Sequence, residues 1–254
     1  SVSGNNVTAN KGTGVYLTES SNNSISENSM VNNWNEGIHL DWSDYNSISE
    51  NIIVNNLDGI VLLVTSNNIL SENDVSNNGV GVSLSGWWSD PCLSNSISGN
   101  NIADNSVGIQ LSGSIYVGGE CSDNNIYANN IANNGIGIYF TEAYGNNVFH
   151  NSFSNFVQAV SPPMNVWDDG YSSGGNYWSD HTGPDLCHGP YQNLTGSDGI
   201  VDKPYIIDSN NRDNYPLMSP YEYWINPIPG DINRDTKVDY MDLYILAKHY
   251  GQKK

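Results

Sequence analysis

The sequence predicts an all-β chain: a parallel β-helix solenoid of about seven coils, a loop-rich C-terminal cap, and a short EF-hand-like loop and helix. Three observations lead to this prediction. One motif repeats through the first 160 residues, its apolar residues alternate as in strands, and Asn recurs in the same phase of each copy. A period of 22 or 23 residues, stretched to 27 and 29 at two insertions, is typical of a solenoid.

Each copy of the motif predicts two or three short strands. An apolar anchor is followed three residues later by Asn and five residues later by another apolar residue, and the first six copies add a Gly-apolar-x-apolar segment. This spacing is that of strands, and Val and Ile are frequent in it. The Leu-rich frame and helical back of a leucine-rich repeat, the alternative at this period, are missing. The anchors are Val2, Ile25, Ile48, Leu70, Ile97, Ile126 and Val148.

Two columns of Asn support the stacking of coils. Because stacked coils lie about 4.8 Å apart, each amide can donate to one neighbouring coil and accept from the other. A buried amide without a partner is costly, so such ladders must run through most coils. The first column is Asn5, Asn28, Asn51, Asn73, Asn100, Asn129 and Asn151, and the second is Asn10, Asn33, Asn56, Asn78, Asn105 and Asn134.

Two cysteines share one phase on adjacent coils. Cys92 and Cys121 each lie five residues before an anchor, inside an inserted loop. Neighbouring coils fall within the Cα separation that a disulfide accepts, which predicts a Cys92–Cys121 bridge; two free thiols are the alternative. Cys187 is then left without an intramolecular partner. A bridge indicates an oxidising, extracytoplasmic location.

The charge of the chain excludes several classes of partner. It has 8 basic and 27 acidic residues, and Lys11 is the only basic residue before Lys203. Nucleic acid and anionic lipid are therefore disfavoured, and no apolar run is long enough to span a membrane. We expect a mature secreted form or an excised piece, located outside the cell or at its surface. Glycosylation sequons begin at Asn6, Asn22 and Asn193.

The predicted domains are 1–160 for the β-helix, 161–226 for a Gly-, Tyr- and Asp-rich cap, and 227–254 for the terminal loop and helix. The open end of a solenoid must be covered, and the aromatic-rich cap follows where the repeat stops at Pro162-Pro163. Four carboxylates of the cap are either turn formers or weak Ca²⁺ ligands. They are Asp198, Asp202, Asp208 and Asp213.

The terminal segment predicts a Ca²⁺ site. Oxygen side chains fall at loop positions 1, 3, 5, 9 and 12, and Lys237 is placed to give its carbonyl at position 7. Thr236 replaces the usual Gly of such a loop, and an Asp replaces its final bidentate Glu. The predicted ligands are Asp231, Asn233, Asp235, Lys237, Asp239 and Asp242. An amphipathic helix follows the loop.

These motifs resemble two known families. The phased Asn/Gly-Ile repeats, with Gly-Asn-Tyr-Trp-Ser-Asp and Gly-Ser-Asp-Gly-Ile-Val-Asp-Lys-Pro-Tyr, resemble NosD-type right-handed parallel β-helices over residues 1–218. That group shares its architecture with pectate lyases, and its fold hosts enzymes, adhesins and scaffolds alike. Residues 231–251 resemble one repeat of a dockerin, which implies Ca²⁺ as a cofactor. Dockerins usually have two repeats, and this chain has one, so three alternatives stay open. The repeat binds a cohesin-like partner, packs within its own chain, or completes its fold on a neighbouring chain.

Aromatic and acidic residues that follow the Gly-x-x-Leu strand form a candidate glycan site. Rings flanked by carboxylates suit a neutral glycan, and packing of the inserted loops onto the solenoid is the alternative. The candidate rings are Trp42, Trp87, Trp88 and Tyr116. Asp41 and Asp44 are candidate catalytic carboxylates of a hydrolase. The lack of basic residues in the solenoid argues against a uronate lyase, and the five His are scattered, without the spacing of metal ligands that would support a copper or zinc site.

The function expected from these features is that of an extracellular, Ca²⁺-binding structural β-helix. Open sheet edges at the first coil favour head-to-tail stacking into filaments, and removal of an N-terminal cap is an equal explanation of those edges. A glycan-binding or glycan-cleaving protein is the alternative. Whether the chain is an enzyme stays open at this point.

Overall fold

The computed structural model describes residues 1–114, 118–161, 164–222, 238 and 243. It confirms a parallel β-solenoid of about seven coils, in which each coil contributes one strand to each of three sheets. The six predicted Ca²⁺ ligands between Asp231 and Asp242 and the candidate ring of Tyr116 lie outside the described residues.

The three sheets, here called A, B and C, form the three faces of the solenoid. Sheet A holds β1 (Val2–Ser3), β4 (Ser24–Ser26), β7 (Ser47–Ser49), β10 (Ile69–Ser71), β14 (Ser96–Ser98), β18 (Asn125–Tyr127) and β21 (Asn147–Phe149). Sheet B holds β2 (Asn6–Thr8), β5 (Ser29–Val31), β8 (Ile52–Val54), β11 (Asp74–Ser76), β15 (Asn101–Ala103), β19 (Asn130–Ala132), β22 (Ser152–Ser154) and β24 (Tyr177–Trp178). Sheet C holds β3 (Val15–Thr18), β6 (Ile38–Asp41), β9 (Asp58–Leu63), β12 (Val80–Ser85), β16 (Val107–Ser112), β20 (Ile136–Thr141) and β23 (Val157–Val160).

The strands of each sheet pair in register, so the anchor residue of each coil lies directly opposite the anchor residue of the next coil. Ile48, for example, lies opposite Ile25 on one side and Leu70 on the other. The anchors from Ile25 to Val148 are fully buried, and so are the inward residues of sheet B, which are Met30, Ile53, Val75, Ile102, Ile131 and Phe153. Alternation along the strands therefore buries one apolar row in each of sheets A and B and two in sheet C, and these rows build a continuous core.

The asparagines form ladders through the coils, as predicted, and the ladders number three among the described residues. In the first, Asn51 donates from its backbone and side chain to Asn73 Oδ1, at 3.0 and 2.9 Å. The second also runs coil to coil and continues through Asn155. The third ladder, which the sequence analysis missed, is Asn23, Asn46, Asn68, Asn95, Asn124, Asn146, Asn165 and Asn211.

The cap covers the last coil with aromatic rings. Trp167 and Trp178 are buried, and Trp178 stacks on Phe153 with ring centroids 4.5 Å apart. Two short hairpins complete the described part of the cap: β25 (Cys187–His188) with β26 (Leu194–Thr195), and β27 (Tyr205–Ile206) with β28 (Arg212–Asp213).

Cys92 and Cys121 lie directly opposite each other in a two-stranded sheet, β13 (Cys92–Leu93) and β17 (Cys121–Ser122). Both side chains are fully buried, and both thiols are free in the structure. Burial, with Cys92 as a neighbour, raises the pKa of the Cys121 thiol well above its usual value. The shared phase is as predicted, and the disulfide itself stays a prediction.

Candidate functional site

The outward surface of sheet C, here called the C face, is the broadest face of the solenoid. Its central strands are six residues long, whereas most strands of sheets A and B have three. The central outward column of this face mixes aromatic, aliphatic and polar residues. They are Tyr16, His39, Val61, Ser83, Gln110 and Tyr139. A long, mixed surface of this kind offers many positions for an extended ligand to contact.

One edge of the C face carries a row of exposed aromatic rings. The C–A corner, defined as the turns that join sheet C strands to the next sheet A strands, carries Trp42, Tyr45, Trp87, Trp88 and Tyr144. Between 44 and 61 % of each residue is exposed. Trp42 occupies a corner with left-handed backbone, at φ 50°. Exposed rings gathered at one edge mark an interaction surface.

The two inserted loops lie at this corner and stack on each other through their backbones. A Cβ built on Gly119 would lie 2.1 Å from the Trp88 carbonyl, and one built on Gly118 would lie 2.9 Å from the Ser89 carbonyl. Glycine is therefore required for the loops to come this close. Trp87 and Trp88 are 57 and 61 % exposed, so more than half of each residue is open to solvent beside the stacked loops.

The opposite edge of the C face also presents large apolar side chains. Trp34 is 67 % exposed at the corner before β6, and Leu57 holds the equivalent corner position of the next coil. The Lys11 ammonium lies 5.7 Å from the centre of the Trp34 ring. At the N-terminal coils the C face is thus bordered on both long edges by apolar groups.

A polar cluster occupies the C face near Trp42. The rings of Tyr16 and His39 meet edge to face with centroids 5.1 Å apart, and the Tyr16 hydroxyl donates to Asp41 Oδ2 at 3.3 Å. Glu36 Oε1 lies 3.6 Å from His39 Nδ1. His39 Nε2 and Asp41 Oδ1 are buried and have no hydrogen-bond partner.

Carboxylates set the electrostatics around this cluster. Burial raises the pKa of Glu36, but the Thr13 hydroxyl, its own backbone N–H and nearby His39 outweigh burial and leave the pKa below its usual value. Burial raises the pKa of Asp58, and the charge of Glu36 adds to this, although the Val80 N–H opposes it. The lowered pKa favours the ionised form of Glu36, which therefore brings negative charge to the cluster.

The two candidate catalytic carboxylates have different surroundings. Asp41 belongs to the polar cluster. Asp44 Oδ1 accepts the Ser66 N–H at 2.7 Å, and the Asp44 N–H donates to Ser21 Oγ at 3.0 Å. Asp44 thus joins three successive coils through hydrogen bonds.

The four cap carboxylates hold the chain together. Asp213 accepts N–H groups from Asn176, Trp178 and Tyr215, at 2.7, 2.9 and 3.0 Å. Asp208 accepts from Asn211. Asp202 accepts the Leu186 and Cys187 N–H groups, and Asp198 accepts those of Ile200 and Gln192. These oxygens therefore do not converge on a metal ion.

Comparison with known proteins gives one family and a few distant structures. The family model described as "NosD: Periplasmic copper-binding protein (NosD)" matches residues 1–183. No curated protein matches the chain.

Two solved structures are similar to the chain at a low level. The periplasmic alginate epimerase AlgG T265N mutant is 19 % identical, with a TM-score of 0.42, over 76 % of this chain and 42 % of the epimerase. An alginate lyase from Paenibacillus sp. str. FPU-7 is 15 % identical, with a TM-score of 0.38, over 68 % of this chain and 78 % of the lyase. The chain thus spans less than half of the epimerase.

The expectation of Ca²⁺ as cofactor is wrong on two findings. The family is described as copper-binding, and no three His, Cys, Asp or Glu side chains converge as a metal site within the part of the chain that the structure describes. The physical reason in the cap is that backbone and side-chain N–H groups already donate to the carboxylates of Asp198, Asp202, Asp208 and Asp213.

Proposed function

The chain belongs to the NosD family, and from that premise we propose that it is an extracytoplasmic β-helix protein that binds neutral glycans along its C face. The family's description as periplasmic supports a place outside the cytoplasm. Among the described residues, no helix is long and apolar enough to cross a membrane.

The observation that carries this proposal is the row of exposed rings at the C–A corner. Aromatic rings offer flat apolar surfaces on which the C–H faces of sugars stack, and Trp combines such a face with a polar N–H. Because coils rise about 4.8 Å each, rings from coils two apart stand about 10 Å apart along the axis. A glycan that runs along the solenoid would meet several rings in turn.

The charge of the face selects the kind of glycan. Carboxylates surround the rings, among them Asp41, Asp90 and Glu142, and Lys11 is the only base of the coils. An anionic polysaccharide would be repelled, since like charges at short range cost free energy. A neutral chain avoids this cost, and its hydroxyls can donate to the carboxylates.

Copper does not enter the proposal, because the described residues do not fit a centre of three or more ligands. His150 Nε2 is within hydrogen-bond distance of the Ser173 carbonyl, and His181 Nε2 of the Lys203 carbonyl. His39 Nε2 is unpartnered, but it is a single imidazole nitrogen. Copper sites use several imidazole or sulfur ligands in a defined geometry.

A binding assay with matched variants tests the proposal. We expect soluble neutral polysaccharides, such as galactomannan, xyloglucan or laminarin, to slow the protein in affinity electrophoresis, and alginate to leave it unaffected. Trp42→Ala and the double variant Trp87→Ala/Trp88→Ala should each weaken binding about tenfold, in line with the loss of one good ring contact.

Tyr191→Ala is the matched control, because Tyr191 is 84 % exposed but lies in the cap. It should bind as the wild type does. Absence of binding across the neutral panel, or equal loss in the Tyr191→Ala variant, would contradict the proposal.

Head-to-tail self-assembly and glycosylation at Asn6, Asn22 and Asn193 stay predictions. The three asparagines are all exposed. Light scattering across a range of protein concentrations checks assembly, and the mass of protein secreted from a glycosylating host checks the sequons.

A further inference from the structure

We propose that Tyr16, His39 and Asp41 form a subsite that binds two neighbouring sugar hydroxyls, with the Tyr16 ring as its movable cover. The inference rests on the proposed glycan function and assigns part of its specificity to three named residues. It starts from two buried atoms without partners, His39 Nε2 and Asp41 Oδ1.

Unpartnered buried atoms are costly. Each one loses its hydrogen bond to water without gaining another, at roughly 1–3 kcal/mol. His39 and Asp41 are neighbours on the outward side of β6, with inward-facing Leu40 between them. Buried polar atoms normally have hydrogen-bond partners, so two unpartnered atoms side by side indicate a site at which a ligand supplies the missing partners.

Tyr16 is suited to the role of a cover. Its ring lies beside His39, its hydroxyl reaches Asp41, and 52 % of the residue is exposed. The hydroxyl contact of 3.3 Å is long for an O–H···O hydrogen bond, which usually spans 2.5–3.0 Å. The contact that holds the ring in place is therefore weak, and a rotation about the Tyr16 side chain would uncover both atoms.

The chemistry of the two atoms defines the ligand. A carboxylate oxygen only accepts. Because Glu36 faces His39 Nδ1, the ring proton of the neutral imidazole is favoured on Nδ1, which leaves Nε2 as an acceptor. The subsite thus requires two donors at a short separation, and adjacent hydroxyls of a pyranose supply them.

The position of the subsite agrees with this ligand. Asp41 ends β6, and the exposed ring of Trp42 follows it directly. A sugar stacked on Trp42 therefore has its hydroxyls beside the carboxylate. The combination of a stacking ring and a few aimed polar groups is typical of sites that fix the orientation of a small ligand.

Affinity and stability measured on the same variants test the subsite. Calorimetric titration with the neutral oligosaccharide bound best by the wild type should show about a tenfold loss for Asp41→Asn and for His39→Leu. Thermal stability should be unchanged or higher in both, because His39→Leu removes an unsatisfied atom and Asp41→Asn removes a partly buried charge. A purely structural role would lower stability and leave affinity unchanged.

Two further variants complete the design. Tyr16→Phe should bind as tightly as the wild type or more tightly, because it releases Asp41; a loss of affinity would overturn the role of Tyr16 as a cover. Glu72→Gln is the control, since it neutralises an exposed carboxylate at the corner between sheets A and B, and it should leave affinity unchanged.

The outcomes separate the subsite from the function on which it rests. If Trp42→Ala loses binding while Asp41→Asn and His39→Leu retain it, the subsite is overturned and glycan binding stands. If no neutral glycan binds the wild type, both fail. If Cu²⁺ binds the wild type but not His39→Leu, while glycan affinity is equal in the two, the cluster is a metal site and the inference is overturned.

Discussion

At the scale of the residue, asparagine is what makes this solenoid specific. The ladder Asn donate from backbone and amide to the next coil, and most of their amides also reach a backbone carbonyl of the preceding coil, as Asn100 does with Leu70 at 2.9 Å. The coils are thereby fixed in register by hydrogen bonds in addition to apolar contacts. Buried amides are stable only because nearly every donor and acceptor has a partner.

Replacement of Asn100 tests the ladder. Asn100→Ala leaves the Asn73 backbone N–H without its side-chain acceptor and should lower the free energy of unfolding by about 2–4 kcal/mol. Its neighbour Asn101 is exposed on sheet B, so Asn101→Ala should cost less than about 0.5 kcal/mol. Urea denaturation of both variants measures the difference, and equal costs would contradict the role of the ladder.

Asp213 predicts a pH dependence of stability. Burial raises its pKa to about 7, despite three N–H donors. Between the unfolded and folded pKa values the folded state keeps a proton on Asp213 that the unfolded state loses, because the unfolded carboxyl has the ordinary pKa of 3.8. The contribution of this proton to stability is therefore full below about pH 4 and is lost as pH rises through 7.

The variant Asp213→Asn isolates this dependence. It lacks the titrating group, and it should be about 1–3 kcal/mol less stable than the wild type at pH 5. The gap should narrow by pH 8. Thermal unfolding at both pH values measures it, and a gap that is constant or wider at pH 8 would show that the folded pKa of Asp213 is not raised.

At the scale of the element, the glycine that opens each sheet C segment has a steric cause. A Cβ on Gly81 would lie 2.6 Å from the Gly108 carbonyl oxygen and 2.9 Å from Ile102 Cγ2. The coils come this close because strand pairing and core packing leave no room for a side chain there. In the Gly-apolar-x-apolar repeat, the glycine therefore reflects the close approach of adjacent coils, and the alternating apolar residues reflect the strand.

Substitution of this glycine has an expected cost. Gly81→Ala should destabilise the protein by about 1–3 kcal/mol through overpacking. Gly12→Ala is the matched control, because a Cβ at Gly12 meets nothing within 4 Å. Unfolding midpoints in guanidinium chloride compare the two, and a Gly81→Ala variant as stable as Gly12→Ala would contradict the steric account.

The elements were largely predictable from sequence, and the misses have physical reasons. Asn stands two residues before the anchor in every copy from the second to the seventh, from Asn23 to Asn146, so the signal for the third ladder was present but lay within Asn-rich turns. The third ladder ends where Asn211 donates to Asp208, and the first ends where Asn176 donates to Asp213. Neither end was predictable from the sequence. Both depend on how the non-repeating cap folds back onto the last coil.

At the scale of the whole molecule, the faces of the solenoid differ in the residues they expose. Aromatic rings gather at the edges of the C face, whereas the A–B corner carries Glu27, Glu50 and Glu72. The sequence analysis placed Trp42, Trp87 and Trp88 on one side from repeat phase alone. It did not find the Tyr16–His39–Asp41 cluster, because the contact of Tyr16 with the next coil depends on side-chain orientation.

Hydrogen exchange followed by mass spectrometry, with and without a neutral oligosaccharide, tests most directly whether the C face is the binding surface. Glycan should slow exchange in peptides that cover residues 13–19, 36–46 and 85–91, which contain the Tyr16 cluster and the C–A corner. Peptides confined to sheet B, such as residues 73–77, should be unchanged. Protection of sheet B with none at the C–A corner would contradict the account.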